Sequence, residues 1–447
     1  MSLTLLWLSR SAKAQPPATT DWPQFGRTPT FQSAARSSAS GAERHAEWIW
    51  AGAGDRLVAS PAVHNRTVYY GSDDGHMYAL QQSTGELLWS FEQTCTPAKA
   101  VRCGENGIRS SPAVDADGNV VFGSYDQYVY KVSAAGELVW KWKSDGAIYG
   151  PVSIDTDGTV LVGSMGAHEQ FNGSNCLYAL HGAKQAAGGA AQEKWRACGA
   201  TVGAMNSGPA IGTGAFASTV VMNNYDDHIR AFDTKTGALR WSRLVGGPSG
   251  SSATIAGDTA FIGSWDRFLY ALDMASGSVR WRFNTSGEIE SHPAAHDGAV
   301  FVSTEEAHAL YKLNATTGAV LWTYDGATAA INSSPSIDVA NGIVYVGAND
   351  GALHAIDLAT GARLFAVPTA CSEYGHNFVF ASAAISDAGN VYFSCNTGTA
   401  RRRRRLREQK LADTPGQGIA YSIDPAKHLP PSRSSRSGRG EAAAAAR

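Results

Sequence analysis

The 447-residue chain predicts an all-β fold, an eight-bladed β-propeller of four-stranded antiparallel blades closed by an N-terminal strand. Three observations carry that expectation. First, a unit of the form A-x-D-x-x-T-G-x-x-x-W recurs. It is clearest at Ala231, Asp233, Thr236, Gly237 and Trp241, with near-copies at Ala271 to Trp281, Ala79 to Trp89 and Ala355 to Phe365. Second, its closing aromatic returns every 40 to 55 residues, as Trp89, Trp140, Trp195, Trp241, Trp281, Trp322 and Phe365. Strand-rich repeats of that length signify radial repetition. Third, 48 glycines, 12 tryptophans and only 17% charged residues suit short strands joined by glycine turns. Helical and disordered chains have other compositions.

The elements follow in one order within each unit. A small-residue step opens it, such as Ser60-Pro61-Ala62, Ser111-Pro112-Ala113 or Ser334-Pro335-Ser336. Proline is tolerated at the first residue of a strand, where its missing N–H disturbs no ladder. A β-branched or aromatic run comes next, then a turn, a third strand and the strand that carries the aromatic. Alternating apolar and small or polar residues fit sheets packed face to face around a ring. Second strands are expected near Val68, Val120, Val160, Val220, Ala260, Val300, Val344 and Val391. The eighth unit has no outer strand after Tyr421-Ser422-Ile423-Asp424, but Glu47-Trp48-Ile49-Trp50 offers the matching pattern at the other end. Pairing these ends would close the ring and remove an exposed edge.

The expected organisation is a signal peptide over residues 1–14, a lead-in over 15–42, the ring over 43–424 and a disordered basic tail over 425–447. The signal rests on the apolar run Leu3 to Leu8 and the cleavage-like Ala12-Lys13-Ala14. Insertions fall in the third unit, at Gly166 to Asn175 and Gly182 to Gln192. Another lies in the eighth over 399–418, with five arginines from Arg401 to Arg405. A solvated loop is preferred there to an anion-binding one. From residue 401 onward 12 Lys and Arg face 4 Asp and Glu, which leaves 25 against 35 before it. The body is acidic at −10 and the tail basic at +8, so nucleic acid is not expected on the ring. No apolar run is long enough to span a bilayer.

Six cysteines form three locally close pairs, Cys95/Cys103, Cys176/Cys198 and Cys371/Cys395. None has the spacing of a zinc or haem site. If Tyr178 faces Trp195 across a hairpin, Cys176 lies within one residue of facing Cys198. Disulfides are favoured over six reduced thiols, and with them the secretory lumen or the exterior, the cytoplasm being the alternative.

The repeated units resemble the tryptophan-docking motif of pyrroloquinoline-quinone-like propellers, and Asp21-Trp22-Pro23-Gln24-Phe25-Gly26 is similar to the segment preceding the ring in secreted members. The resemblance spans residues 21 to 424. It implies that each aromatic packs between the Ala and Gly of a neighbouring motif, and Ala231 and Gly237 are small enough for that. The family implies two kinds of function. Quinoprotein alcohol dehydrogenases hold the quinone and calcium in the channel, whereas non-enzymatic rings, among them a bacterial outer-membrane assembly lipoprotein, bind partner chains. The chain lacks the vicinal Cys-Cys and the inserted length of the dehydrogenases, and their calcium-binding Glu, Asn and Asp have no assignable counterparts.

Repetition separates architecture from site. Asp74, Asp126, Asp226, Asp266 and Asp350 hold one turn position in five units, where aspartate accepts local backbone N–H bonds. Residues that break the repeat just before the inner strand should face the axis: Arg109, Tyr149, Asn206, Glu290, His292 and Asn332. They could hold a small polar ligand, or pair and hydrate. His292 beside one glutamate is too little for a metal site, and no nucleophile elbow, P-loop or H-E-x-x-H occurs.

The expectation is a monomeric scaffold or binding ring that engages a protein or small polar ligand through a face, its loops or the channel mouth. It leans against an enzyme, without a cofactor. The alternatives are a quinone- and calcium-dependent alcohol or sugar dehydrogenase, and a carbohydrate-binding ring without turnover.

Overall fold

A computed structural model describes residues 34–35, 48–93, 107–166, 174–183, 189–198, 205–369, 371, 377–397 and 418–429. Eight sheets stand around a central axis, each with an antiparallel core of strands that are consecutive in the chain; only the closure and one added parallel strand on blade seven bring in strands from elsewhere. Blade four shows the plan: Ala210–Ile211 inside, then Thr219–Asn223, His228–Asp233 and, outermost, Leu239–Leu244. All eight second strands begin within one residue of the expected positions. The ring closes as expected. Trp48–Trp50 pairs antiparallel with Gly418–Ile423, placing Trp48 opposite Ser422 and Trp50 opposite Ala420.

The seams between blades explain the repeated motif. Trp195, Trp241 and Trp281 each donate the indole N–H to a carbonyl of the next blade, Thr234, Met274 and Ala315, at 2.9, 2.9 and 3.0 Å. The motif glycine lies beneath that ring. A Cβ on Gly237 would stand 2.5 Å from Trp195, and its φ of +71° is one that side chains rarely adopt. Trp48 repeats the contact at the closure, over Gly85 and bonded to the Gln82 carbonyl at 2.8 Å. The closing strand therefore contributes a seam as well as a ladder.

The turn aspartates behave as read. Asp74, Asp126, Asp226, Asp266 and Asp350 each accept the backbone N–H two residues on, at 2.9 to 3.2 Å. Of the cysteine pairs, Cys176–Cys198 and Cys371–Cys395 are bridged; Cys95 and Cys103 lie outside the described residues. The hairpin register differs by one from expectation. Ala179 faces Trp195 and Tyr178 faces Arg196, which sets Cys176 directly opposite Cys198.

Three further features were not foreseen. Ala34–Ala35 runs parallel to the inner strand Ser336–Asp338, adding a fifth strand on the channel side of blade seven. The eighth inner strand is split, with Asn377–Phe378 and Ala384–Ile385 both pairing with Val391–Thr397. Structure also continues past residue 424: Asp424 caps a short turn at Pro425–Lys427, and His428 stacks on Phe365 at 5.1 Å. The Arg401 to Arg405 run, the proposed signal segment and most of the insertions lie outside the described residues. Among the described residues no helix is long and apolar enough to cross a membrane.

Candidate binding site at the channel mouth

Inner strands converge on the axis, so residues that lead into them open onto the channel. Four positions before each inner strand stand Val58, Arg109, Tyr149, Asn206, Gly250, Glu290, Asn332 and Phe380, one from each blade. All eight line a single cavity of about 80 Å³, and His292 joins them. The structure thus gathers all six nominated residues, Arg109, Tyr149, Asn206, Glu290, His292 and Asn332, at one mouth.

Sequence reading missed their partners. These stand immediately before the repeated turn aspartate, or its counterpart, and vary from blade to blade: Asp73, Tyr125, Tyr225, Trp265, Glu305 and Asn349. Arg109 donates from Nε and Nη2 to the two oxygens of Asp73 at 2.6 and 3.0 Å, and its guanidinium lies 5.2 Å from the Tyr125 ring centre. Tyr149 meets Tyr125 edge-on at 5.8 Å. The Asn206 amide donates to the Tyr225 hydroxyl at 2.8 Å, and Trp265 donates to Glu290 Oε2 at 2.6 Å. Asn332 donates to Glu305 at 2.5 Å and accepts from Asn349 at 3.2 Å. The backbone N–H of His292 donates to Ser334 Oγ at 2.9 Å. Arg109 and Glu290 therefore do not pair across the pore. Each is satisfied by a neighbouring turn. The signal that would have found these partners is the variable residue beside a repeated turn aspartate.

Burial sets the electrostatics. Desolvation, reinforced by Glu305 and Glu288, pushes the Glu290 carboxyl up to about 7 against the Trp265 hydrogen bond. Burial alone holds His292 neutral, with its pKa lowered to about 3. Tyr149 is raised to about 12, mainly by burial. Arg109 is disfavoured by burial but held charged by Asp73. Near neutral pH the mouth thus carries a carboxyl between its two states, flanked by Tyr225 and Trp265 rings whose centres are 5.1 Å apart. The Asn206 carbonyl oxygen is buried without a hydrogen-bond partner. Such a surface suits a hydrogen-bond donor or a cation carried by a partner molecule.

The solved quinohemoprotein alcohol dehydrogenase of Comamonas testosteroni superposes with a TM-score of 0.69 at 15% identity, over 90% of this chain and 80% of that one. BamB of Moraxella catarrhalis superposes at 0.58 and 16% identity, over 85% and 99%. At these identities the likeness shows the fold, a propeller. Within this propeller, residues 225–421 match the family described as outer membrane protein assembly factor BamB. The BamB of Yersinia pestis is 29% identical over 153 residues, which are 30% of this chain. The match spans 37% of that relative's length.

The mouth of this propeller does not fit the quinone and calcium that the dehydrogenase resemblance implies. Calcium takes six to eight oxygen ligands. Asn206, Glu290 and Asn332 are the side chains there that could offer oxygens, but Asn332 Oδ1 already accepts from Asn349 and Glu290 Oε2 from Trp265, which leaves at most two of these oxygens, the Asn206 Oδ1 among them. Among the described residues no three His, Cys, Asp or Glu side chains come together as ligands. A cavity of about 80 Å³ is also well below the ~300–1,000 Å³ that encloses a cofactor-sized molecule.

Proposed function

We propose that this propeller is a non-catalytic scaffold that binds a protein partner at the channel-mouth face, in the manner of an assembly factor. One observation carries the reading: all eight blades contribute a residue to a single mouth, and the polar ones, Arg109, Asn206, Glu290 and Asn332, are each already bonded to a residue of a repeated turn. A preorganised, shallow polar and aromatic surface recognises a protruding side chain better than it surrounds a cofactor. The match of residues 225–421 to an outer-membrane assembly family supports the same reading. The two disulfides favour an exported protein, since such bridges persist in oxidising compartments.

The experiment is site-specific photocrosslinking in the native host. A photoreactive residue replacing Tyr225 should give one discrete protein adduct, weakened by Glu290→Gln. The same residue at Leu239, exposed on the outer strand of blade four, should give none. Equal adducts at both positions, or none at Tyr225, would overturn the proposal.

A further inference from the structure

Blades two and six break the seam in the same way. Where blades one, three, four, five and seven carry Ala79, Ala179, Ala231, Ala271 and Ala355, these two carry Lys131 and Lys312. The register is shared: Lys131 faces Val121 and Lys312 faces Phe301, as Ala231 faces Val221. Both amines reach into the next blade, Lys131 to the Gly182 carbonyl at 2.6 Å and Lys312 to the Leu358 carbonyl at 2.9 Å. That carbonyl position is the one an indole N–H takes at the alanine seams. The bond from Trp322 to Leu358 is accordingly long at 3.3 Å, and the buried Trp140 N–H has no partner at all.

Beyond this point the two lysines differ. Lys131 is buried against Asp115, 2.5 Å away, which is itself held by Asn119. Asp115 lies two residues after Ala113, the first residue of its inner strand. The matching place after Ala294 in blade six is His296. Among the described residues no carboxylate comes within ion-pair distance of Lys312. Its ammonium instead lies over the rings of Phe301 and Trp322, 5.5 and 6.0 Å from their centres. Beside it opens a cavity of about 320 Å³ between blades six and seven, walled by His296, Asp297, Phe301, Asp357 and Leu358. Burial lowers the Lys312 amine below the usual range, and Asp297 and Asp357 offset this only at longer range.

We infer that this inter-blade cavity binds a small organic monocarboxylate, whose carboxylate stands to Lys312 as Asp115 stands to Lys131. Lys312 is only partly buried, but an ammonium withdrawn from water on one side still gains from a charge-assisted partner at hydrogen-bond distance. The volume admits a molecule, not merely water. Leu358 and Ala359 provide the apolar part of the wall for its body. Asp297 and Asp357 repel any anion, and a dianion more than a monoanion, so a monocarboxylate is favoured over the phosphate dianion.

Benzoate is the probe, with benzamide as the neutral molecule of the same shape and inorganic phosphate as the competing anion. Ligand-observed NMR on the full chain should show saturable benzoate binding, at least tenfold weaker binding of benzamide, and a melting temperature that rises with benzoate. Lys312→Met should abolish binding. His296→Asp installs the carboxylate of blade two and should weaken binding at least tenfold, whereas Lys131→Met should leave it unchanged. Should Lys312→Met not fold, acylation of Lys312 in the wild type, read by peptide mass spectrometry, must slow when benzoate is present. Absent saturation, binding that survives Lys312→Met, equal affinity for benzamide, tighter phosphate, or unprotected acylation would each overturn the inference.

Discussion

At the seams, one arrangement is used again and again: a tryptophan lies on the glycine of the next blade and donates to a carbonyl there, as Trp195, Trp241 and Trp281 do. At the channel mouth, equivalent positions instead run from Arg109 through Tyr149 and Asn206 to Glu290. The same backbone repeat builds both regions, so their difference lies in what each is needed for. A ring closes only if every seam fits, and each seam therefore wants the same residues. A single axial site has no such symmetry, and its residues are free to differ. Perturbing the two regions should accordingly give two kinds of result.

The largest effect belongs to closure. Deleting residues 43–53 leaves the Gly418–Ile423 strand without its outer partner and uncovers Gly85. Calorimetry should record a lower transition for the whole ring, and light scattering should record aggregation. A monomeric variant with an unchanged transition would show that the ring closes without Trp48–Trp50.

Trp241→Ala comes next, because it opens a gap at a seam where the indole is only 8% exposed. Removing a buried aromatic costs ~3–5 kcal/mol, measurable by urea denaturation. Tyr225→Ala at the mouth should cost only about 1 kcal/mol, since its ring is partly exposed already. Equal losses would erase the contrast between seam and mouth.

The mouth has its own signature in pH. Folding raises the Glu290 pKa from its ordinary value to about 7, so the folded state binds the proton more tightly than the unfolded one. Stability from this group is therefore full at low pH and falls as pH rises through that window, by at most about 3 kcal/mol. His292 acts oppositely. Its pKa is lowered to about 3, so stability is lost as pH falls below the ordinary histidine range. Glu290→Gln should abolish the decline toward pH 7 and keep the histidine limb. A variant with the wild-type profile would remove Glu290 as its source. The smallest effect is local: replacing Cys176 and Cys198 by serine should cost about 2 kcal/mol and leave the mouth unaltered. A crosslinking pattern changed by that double variant would tie blade three to the site.

What could be read in the sequence follows from the same contrast. Repeated features average over copies, so the period of the tryptophans located every second strand and the closing strand at Trp48–Trp50. The six nominated mouth residues were found by the inverse signal, departure from the repeat. Their partners escaped because Asp73, Tyr125, Tyr225, Trp265 and Glu305 sit beside conspicuous turn residues whose role is structural. Which of two residues bonds to Arg109 or Glu290 depends on how neighbouring blades are rotated, and no local pattern encodes that angle. The one-residue error at Tyr178 has a simpler cause. A bulge between Ala179 and Leu180 shifts the register, and bulges carry no compositional mark there. Lys131 and Lys312 stand where other units have alanine and were not singled out in the sequence; the structure separates them, through Asp115 at one and His296 at the other.

The most direct test of the central claim, a mouth that binds without turning over, is a titration of the full chain with pyrroloquinoline quinone and calcium, followed by absorbance and by dye reduction with alcohols and sugars. The account predicts no stoichiometric absorbance change and no substrate-dependent reduction, because Asn349 and Trp265 already occupy oxygens of Asn332 and Glu290 and too few remain for calcium. A saturable signal with turnover, lost in Glu290→Gln, would contradict it and make the ring a quinoprotein dehydrogenase.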